Sequence, residues 1–302
     1  MDWELGSGER FAPVGDLKLC FETFGRPSEP PLILIAGLGA QMILWDEAFC
    51  EALAARSLWV VRFDNRDVGR SSRIDWTPPA DAGAAVAGRQ KGERLAAPYR
   101  LKDMAADAIG LMDALGVARA HVVGASMGGM IAQEMAIGWP ERVRSLTSIM
   151  STTGDPRLPP PSPQVMQVFT KPPPKTAEDY VEANVAAWLV FRGPGYPDDE
   201  ARDRPRAKRA ARRGLDPEGG QRQLLAVYAS GSRKPALPSV TAPTLVIHGA
   251  DDPLMPLAAG EDTAATIPGA KLVVLPRMGH ALPMAVWPRV IDEIAELAKR
   301  AT

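Results

Sequence analysis

Ser126 lies in the run Gly124-Ala125-Ser126-Met127-Gly128-Gly129, between His121-Val122-Val123 and Met130-Ile131-Ala132. The spacing Gly-x-Ser-x-Gly suits a serine nucleophile. A sharp strand-to-helix turn holds the serine in a strained backbone that exposes its hydroxyl, and small residues two positions away on either side allow the close packing this requires. The helix that follows offers its first amides to an incoming anion. A plain glycine-rich turn is the alternative, but the short apolar run before the serine and the apolar-patterned helix after it supply the context the motif needs. A serine hydroxyl needs a base beside it, and the chain has only three histidines. His121 opens the strand before the serine and reads as a packed residue. His248 ends an apolar run just before Gly249 and reads as structural, shaping the loop that follows. His280 stands in Pro276-Arg277-Met278-Gly279-His280-Ala281, between an apolar run and the last helical pattern.

The elements that must carry these residues alternate. Leu17–Phe24, Leu32–Ala36, Leu58–Phe63 and His121–Gly124 read as strands. Glu47–Arg56, Leu101–Leu115 and Met127–Gly138 read as helices, with Gly116 a natural stop. The pattern returns in strand Thr244–His248, helix Ala258–Ile267, strand Lys271–Leu275 and helix Ala285–Arg300. Strand–helix alternation of this kind predicts an α/β protein with a mostly parallel sheet covered on both faces. The middle differs: ten prolines fall between Ser151 and Glu200, a density that excludes central strands. Helices are expected there over Ala177–Phe191 and Gly219–Ser230. Residues 1–150 and 238–302 therefore read as the core, and 151–237 as an inserted, mainly helical cap. Arg202–Arg213 is strongly basic but has Asp198, Asp199, Glu200 and Asp203 beside it, so it reads as a solvated helix face, with steering of acidic substrates as the lesser reading. Ala80–Gly88 reads as a surface loop or a poor helix.

Taken together, the serine motif and its setting resemble the α/β-hydrolase family over nearly the whole chain. That resemblance implies an eight-stranded, mostly parallel sheet and a catalytic order of serine, acid, histidine. It places His280 in the family's histidine loop as general base. It also points to an acid in Gly249-Ala250-Asp251-Asp252-Pro253, where Asp252 is preferred to Asp251, and Asp155 after the preceding strand is a more distant alternative. For the oxyanion, the resemblance implies the backbone amides of Met127 and, in Ala36-Gly37-Leu38-Gly39-Ala40-Gln41, of Leu38. Many members have His-Gly where this chain has Ala36-Gly37, so a histidine that braces the loop is absent. Asp64-Asn65-Arg66-Asp67-Val68-Gly69-Arg70-Ser71 resembles the variant loop of aclacinomycin methylesterase-like members, and Asp64 and Arg66 are expected to pair beneath the active-site loops.

Composition sets the outer bounds. The formal charge is -1, from 35 basic and 36 acidic residues, so no global basic field favours nucleic acid. The two cysteines, Cys20 and Cys50, build no disulfide scaffold or four-cysteine metal site. The acidic start MDWELGSGERF has no apolar segment of the secretory kind, and no long apolar run suggests a membrane span. A cytoplasmic enzyme without metal or cofactor is the expectation, acting on a small-molecule ester and water. Met130, Tyr180, Trp188, Phe191 and Met278 are the candidate pocket residues, with gluing of the cap to the core as the plainer role for the aromatics. The reaction expected is hydrolysis of small-alkyl or otherwise apolar esters. A carbon–carbon bond hydrolase, a proline iminopeptidase, a cofactor-free perhydrolase and a catalytically silent binding protein are the alternatives.

Overall fold

Short, largely apolar runs become strands where both of their faces can be covered. In the computed structural model, which describes residues 8–79, 85, 95–169, 174, 176–196 and 199–301, these runs form β3 (Pro31–Ile35), β4 (Trp59–Phe63), β5 (Ala120–Ala125) and β7 (Thr244–Gly249). They are completed by β1 (Arg10–Val14), β2 (Leu17–Phe24), β6 (Val143–Ile149) and β8 (Lys271–Leu275). The eight strands make one sheet in the order β1-β2-β4-β3-β5-β6-β7-β8. β2 is antiparallel to both β1 and β4, and every other pair is parallel. β1 carries Pro13, which an edge strand tolerates and a central strand does not.

Alternation along β3 divides the interior in two. Ile33 and Ile35 share a core with Leu101 and Met104 of α2 (Leu101–Ala114) and Ile131 and Met135 of α3 (Met127–Gly138). Leu32 and Leu34 share the other core with Phe49 and Leu53 of α1 (Glu47–Ala54) and Ile291 and Ile294 of α9 (Trp287–Arg300). α8 (Leu257–Thr266) joins β7 to β8. The chain leaves β3 for β4 on one side and resumes at β5 on the other, so the strand order reverses between β3 and β5. In open α/β sheets the crevice beyond the strand ends at such a reversal is where ligands bind. The loops after β3 and β5 carry Leu38 and Ser126.

Between β6 and β7 the described residues form no strand but four α-helices, α4 (Pro163–Phe169), α5 (Ala177–Phe191), α6 (Glu200–Arg213) and α7 (Pro217–Ser230), and a short 3-10 turn at Leu237–Ser239. The basic run on α6 is only in part the solvated face its sequence suggested: Lys208 and Arg212 are exposed and Arg204 pairs with Glu200, while other arginines reach into the fold. Arg202 pairs with Asp46, Arg209 with Glu47, and the buried Arg213 with Glu9 at 2.7 Å and Asp64 at 2.8 Å. The reason is positional: the carboxylates that receive these arginines lie after β3, at the start of α1, after β4 and before β1, far away in the chain. Burial alone would raise the Glu9 carboxyl, but Arg213, Arg70 and Arg209 hold it below its ordinary range. Asp64 and Arg66, expected as a pair, are separately engaged. Arg66 makes a two-pronged bond to Asp107 of α2, while Asp64 takes Arg213 together with the Met42 and Arg70 amides. Of Ala80–Gly88, only Ala85 lies within the described residues. No helix among them is long and apolar enough to cross a membrane.

Candidate active site

β5 runs into α3 through a turn in which Ser126 adopts φ 56° and ψ −121°. A positive φ is strained for serine and persists only where the surroundings over-determine it. Here they do. The Ser126 amide donates to the Ile149 carbonyl of β6, and the Ser151 hydroxyl donates to the Ser126 carbonyl. The glycines are required by contact rather than by their own torsions. A Cβ on Gly124 would sit 2.0 Å from the Gly128 carbonyl oxygen, and one on Gly128 would sit 2.1 Å from that of Ile35.

The Ser126 hydroxyl lies 2.9 Å from His280 Nε2, and His280 Nδ1 lies 2.8 Å from Asp252 Oδ2. A carboxylate can only accept, so Nδ1 carries the proton and the Nε2 lone pair faces the serine. Asp252 is buried, and its other oxygen accepts the amides of Leu254 and Met255 at 2.9 and 2.8 Å. Asp251 is exposed, and Asp155 is bound to Arg157 and Lys234 away from the imidazole. His248 closes the acid turn from behind. Its Nε2–H donates to the Met255 carbonyl at 2.7 Å, and burial pushes its pKa down, keeping it neutral.

Gly37 approaches the serine so closely that a Cβ there would meet Ser126 Cβ at 3.3 Å. The amides of Leu38, on this loop, and of Met127, at the first turn of α3, donate to no other described residue. The histidine loop is held from the insertion: the His280 and Gly279 amides donate to the Phe191 and Arg192 carbonyls at the end of α5, at 2.5 and 2.8 Å. The Phe191 ring stands edge-on to the imidazole, 6.2 Å between centroids. Such a site holds a base at a hydroxyl, an acid that fixes the base, and free donors at a helix start, which is the equipment for acyl transfer.

A family model described as alpha/beta hydrolase fold matches residues 30–284. The chain belongs to the α/β-hydrolase family. Its relatives include rhodomycin D methylesterase DnrP of Streptomyces peucetius, 33% identical over 95% of this chain and 97% of that protein. Rhodomycin D methylesterase DauP of Streptomyces sp. strain C5 is 32% identical over 97% of this chain and 99% of that protein. Among solved structures, a hydrolase from Pseudomonas aeruginosa PA01 superposes with a TM-score of 0.70 at 26% identity, covering 98% of this chain and 99% of that one.

Within this α/β-hydrolase the five candidate pocket residues separate. Phe191 touches the imidazole, and Trp188 packs edge-on against Phe191. Tyr180 packs with Met42 and Ile43, while Met130 and Met278 are buried in the two cores. A cavity of about 40 Å³, room for more than one water, borders Ala125 and Ala281, the neighbours of Ser126 and His280; Trp45, Met150, Trp188 and Trp287 also line it. Sequence reasoning missed the residues that fasten the hydrolase's loops from a distance: Asn65, whose amide donates to the Ala36 carbonyl, and Gln223 and Arg213 from the insertion. Asn65 stood inside a loop motif and Arg213 at the end of the basic run, whereas Gln223 stood in neither. Among the described residues no group of three or more His, Cys, Asp or Glu side chains is arranged to hold a metal ion.

Proposed function

We propose that this hydrolase cleaves a carboxylic ester with a small alkyl alcohol through an acyl-enzyme on Ser126. The observation that carries the reading is the unbroken chain from Ser126 through His280 to Asp252, set beside the unengaged amides of Leu38 and Met127. The near full-length match to two proteins named as methylesterases supports ester cleavage and favours methyl as the alcohol group.

Ser126 Oγ attacks the ester carbon as its proton passes to His280 Nε2. The carbonyl π pair moves to oxygen, where the Leu38 and Met127 amides receive it. Asp252 stabilises the imidazolium without taking its proton. The tetrahedral adduct collapses, and the alkoxide leaves with the proton from His280. Water then repeats the sequence on the acyl-enzyme, releasing the acid and restoring Ser126. The segment 151–237 serves as a cap, with Phe191 and Trp188 offering the apolar wall nearest the imidazole.

The test is a panel of p-nitrophenyl esters from acetate to decanoate, run beside the methyl esters of bulky aromatic acids, with the wild type and Ser126→Ala in parallel. Turnover that vanishes in the variant supports the serine path, and the chain-length profile sizes the acyl site. Silence on every ester, or turnover that survives in Ser126→Ala, overturns the proposal.

A further inference from the structure

The loop that offers the Leu38 amide is fastened by a side chain from the insertion. Gln223 of α7 is fully buried, 184 residues along the chain from the glycine it touches. Its Oε1 accepts the Gly39 amide at 2.8 Å and its Nε2 donates to the Arg66 carbonyl at 2.8 Å. One primary amide thus bridges the loops after β3 and β4. The pairing also fixes which way round the amide lies, because an N–H on one side and a carbonyl on the other demand one acceptor and one donor.

Ala40 N donates to the Gly37 carbonyl at 3.2 Å, closing a four-residue turn with Leu38 and Gly39 at its centre. Gly39 has φ 67°, the left-handed value that a type II turn asks of its third residue. The alternative type I turn rotates the Leu38–Gly39 peptide by about half a turn. That rotation would swing the Gly39 N–H away from Gln223 Oε1 and bring a carbonyl against it. Gln223 therefore selects the turn, and with it the plane of the peptide that follows the Leu38 amide. Its own position is firm: Arg222 beside it is paired with Asp67 at 3.0 Å and Asp216 at 2.5 Å, and a Cβ on Gly219 would lie 2.1 Å from the Asp67 carbonyl oxygen. Farther along the same loop, Gln41 Nε2 donates to the Ala210 and Gly214 carbonyls at the end of α6, both at 2.9 Å.

We infer that Gln223 is a positioning residue for ester hydrolysis: from the insertion it anchors the oxyanion loop at the residue after Leu38 and so holds the Leu38 amide in place. The inference rests on the serine-esterase reading above. Because its effect passes through oxyanion stabilisation, it acts on the transition state and leaves ground-state binding alone.

The experiment compares wild type, Gln223→Leu and Gln223→Glu. For each, kcat and KM on p-nitrophenyl butyrate, the Ki of an alkyl trifluoromethyl ketone and the thermal midpoint are measured across pH. Ser126 Oγ adds to the ketone carbon as its proton passes to His280 Nε2, and the carbonyl π pair becomes a negative oxygen in the hole, so the Ki reports the hole directly. Gln223→Leu is expected to lower kcat about 10- to 100-fold, a fraction of the loss of a whole donor, with KM little changed and the Ki raised by a similar factor. Glu at this position mimics the amide only as the neutral acid, whose carbonyl accepts and whose hydroxyl donates. The activity of Gln223→Glu relative to wild type should therefore climb as pH falls, while the Gln223→Leu ratio stays flat. That acid rescue decides the matter even where Gln223→Leu fails to fold. A wild-type Ki and kcat in a folded Gln223→Leu, a loss in KM alone, or a Gln223→Glu ratio indifferent to pH overturns this inference and leaves the serine path standing. Turnover that persists in Ser126→Ala overturns both.

Discussion

Ser126 carries backbone strain at the turn between β5 and α3. Its φ of 56° and ψ of −121° suit glycine better than serine. Ser126→Gly should therefore abolish turnover yet raise stability by about 1–2 kcal/mol, the usual scale of such backbone strain. Urea denaturation of the two proteins measures it, and an unchanged midpoint would contradict the strain account. The two adjacent aspartates give a second contrast. Asp252 holds the imidazole tautomer through a 2.8 Å bond whereas Asp251 is exposed. Asp252→Asn should lower kcat by about four orders of magnitude, as loss of the correct tautomer does in serine hydrolases, while Asp251→Asn should leave it near wild type. Both residues were legible in the sequence because they sit in one short turn whose neighbours are fixed by the strand before it. Ser126 was legible for the same reason. Gln223 was not, since nothing local distinguishes a glutamine on a helix until the fold brings Gly39 and Arg66 to it.

At the scale of elements, several helix and strand bounds followed the sequence closely. Met127–Gly138, Ala177–Phe191 and Lys271–Leu275 span the same residues in both readings. β1 escaped because Pro13 disguises an edge strand. The inner side of α6 escaped because Asp46, Glu47, Glu9 and Asp64, which take Arg202, Arg209 and Arg213, come from other parts of the chain. The end of α5 shows what such distant packing does. There the chain turns through Gly193, with φ 81°, and a Cβ on it would come within 2.6 Å of the Gly279 amide nitrogen. Gly193→Ala should push the histidine loop off its carbonyl anchors and lower kcat about 100-fold, the cost of a displacement near one ångström in a catalytic group. Steady-state kinetics beside a thermal melt tests this. A variant with full kcat would show that α5 merely covers the loop.

The whole molecule should lose stability in mild acid for an identifiable reason. His121, buried in β5 with Nδ1 2.9 Å from the Ser145 hydroxyl, has its pKa pushed down to about 4 by burial and by the charges of Arg144 and Arg119. The folded protein keeps it neutral, while the unfolded chain lets it take a proton near the ordinary imidazole pKa of about 6.5. Its contribution is thus present in full above that value and fades as pH falls toward 4. Between about pH 7 and pH 5 the loss should be about 2 kcal/mol. Denaturant titrations at the two pH values should show that decline in the wild type and a smaller one in His121→Gln. Equal declines would assign the acid sensitivity to groups other than His121.

The two hydrogen bonds from the Gly279 and His280 amides to the last carbonyls of α5 bear on how new specificities can be built on this scaffold. An engineer who exchanges residues 151–237 for those of a relative, intending only to reshape the walls around the Ser126 cavity, also replaces the abutment on which the His280 loop rests. Such chimeras should often bind the new ester and fail to turn it over, and recovery should come through compensating changes in the 276–281 loop rather than in the cavity walls.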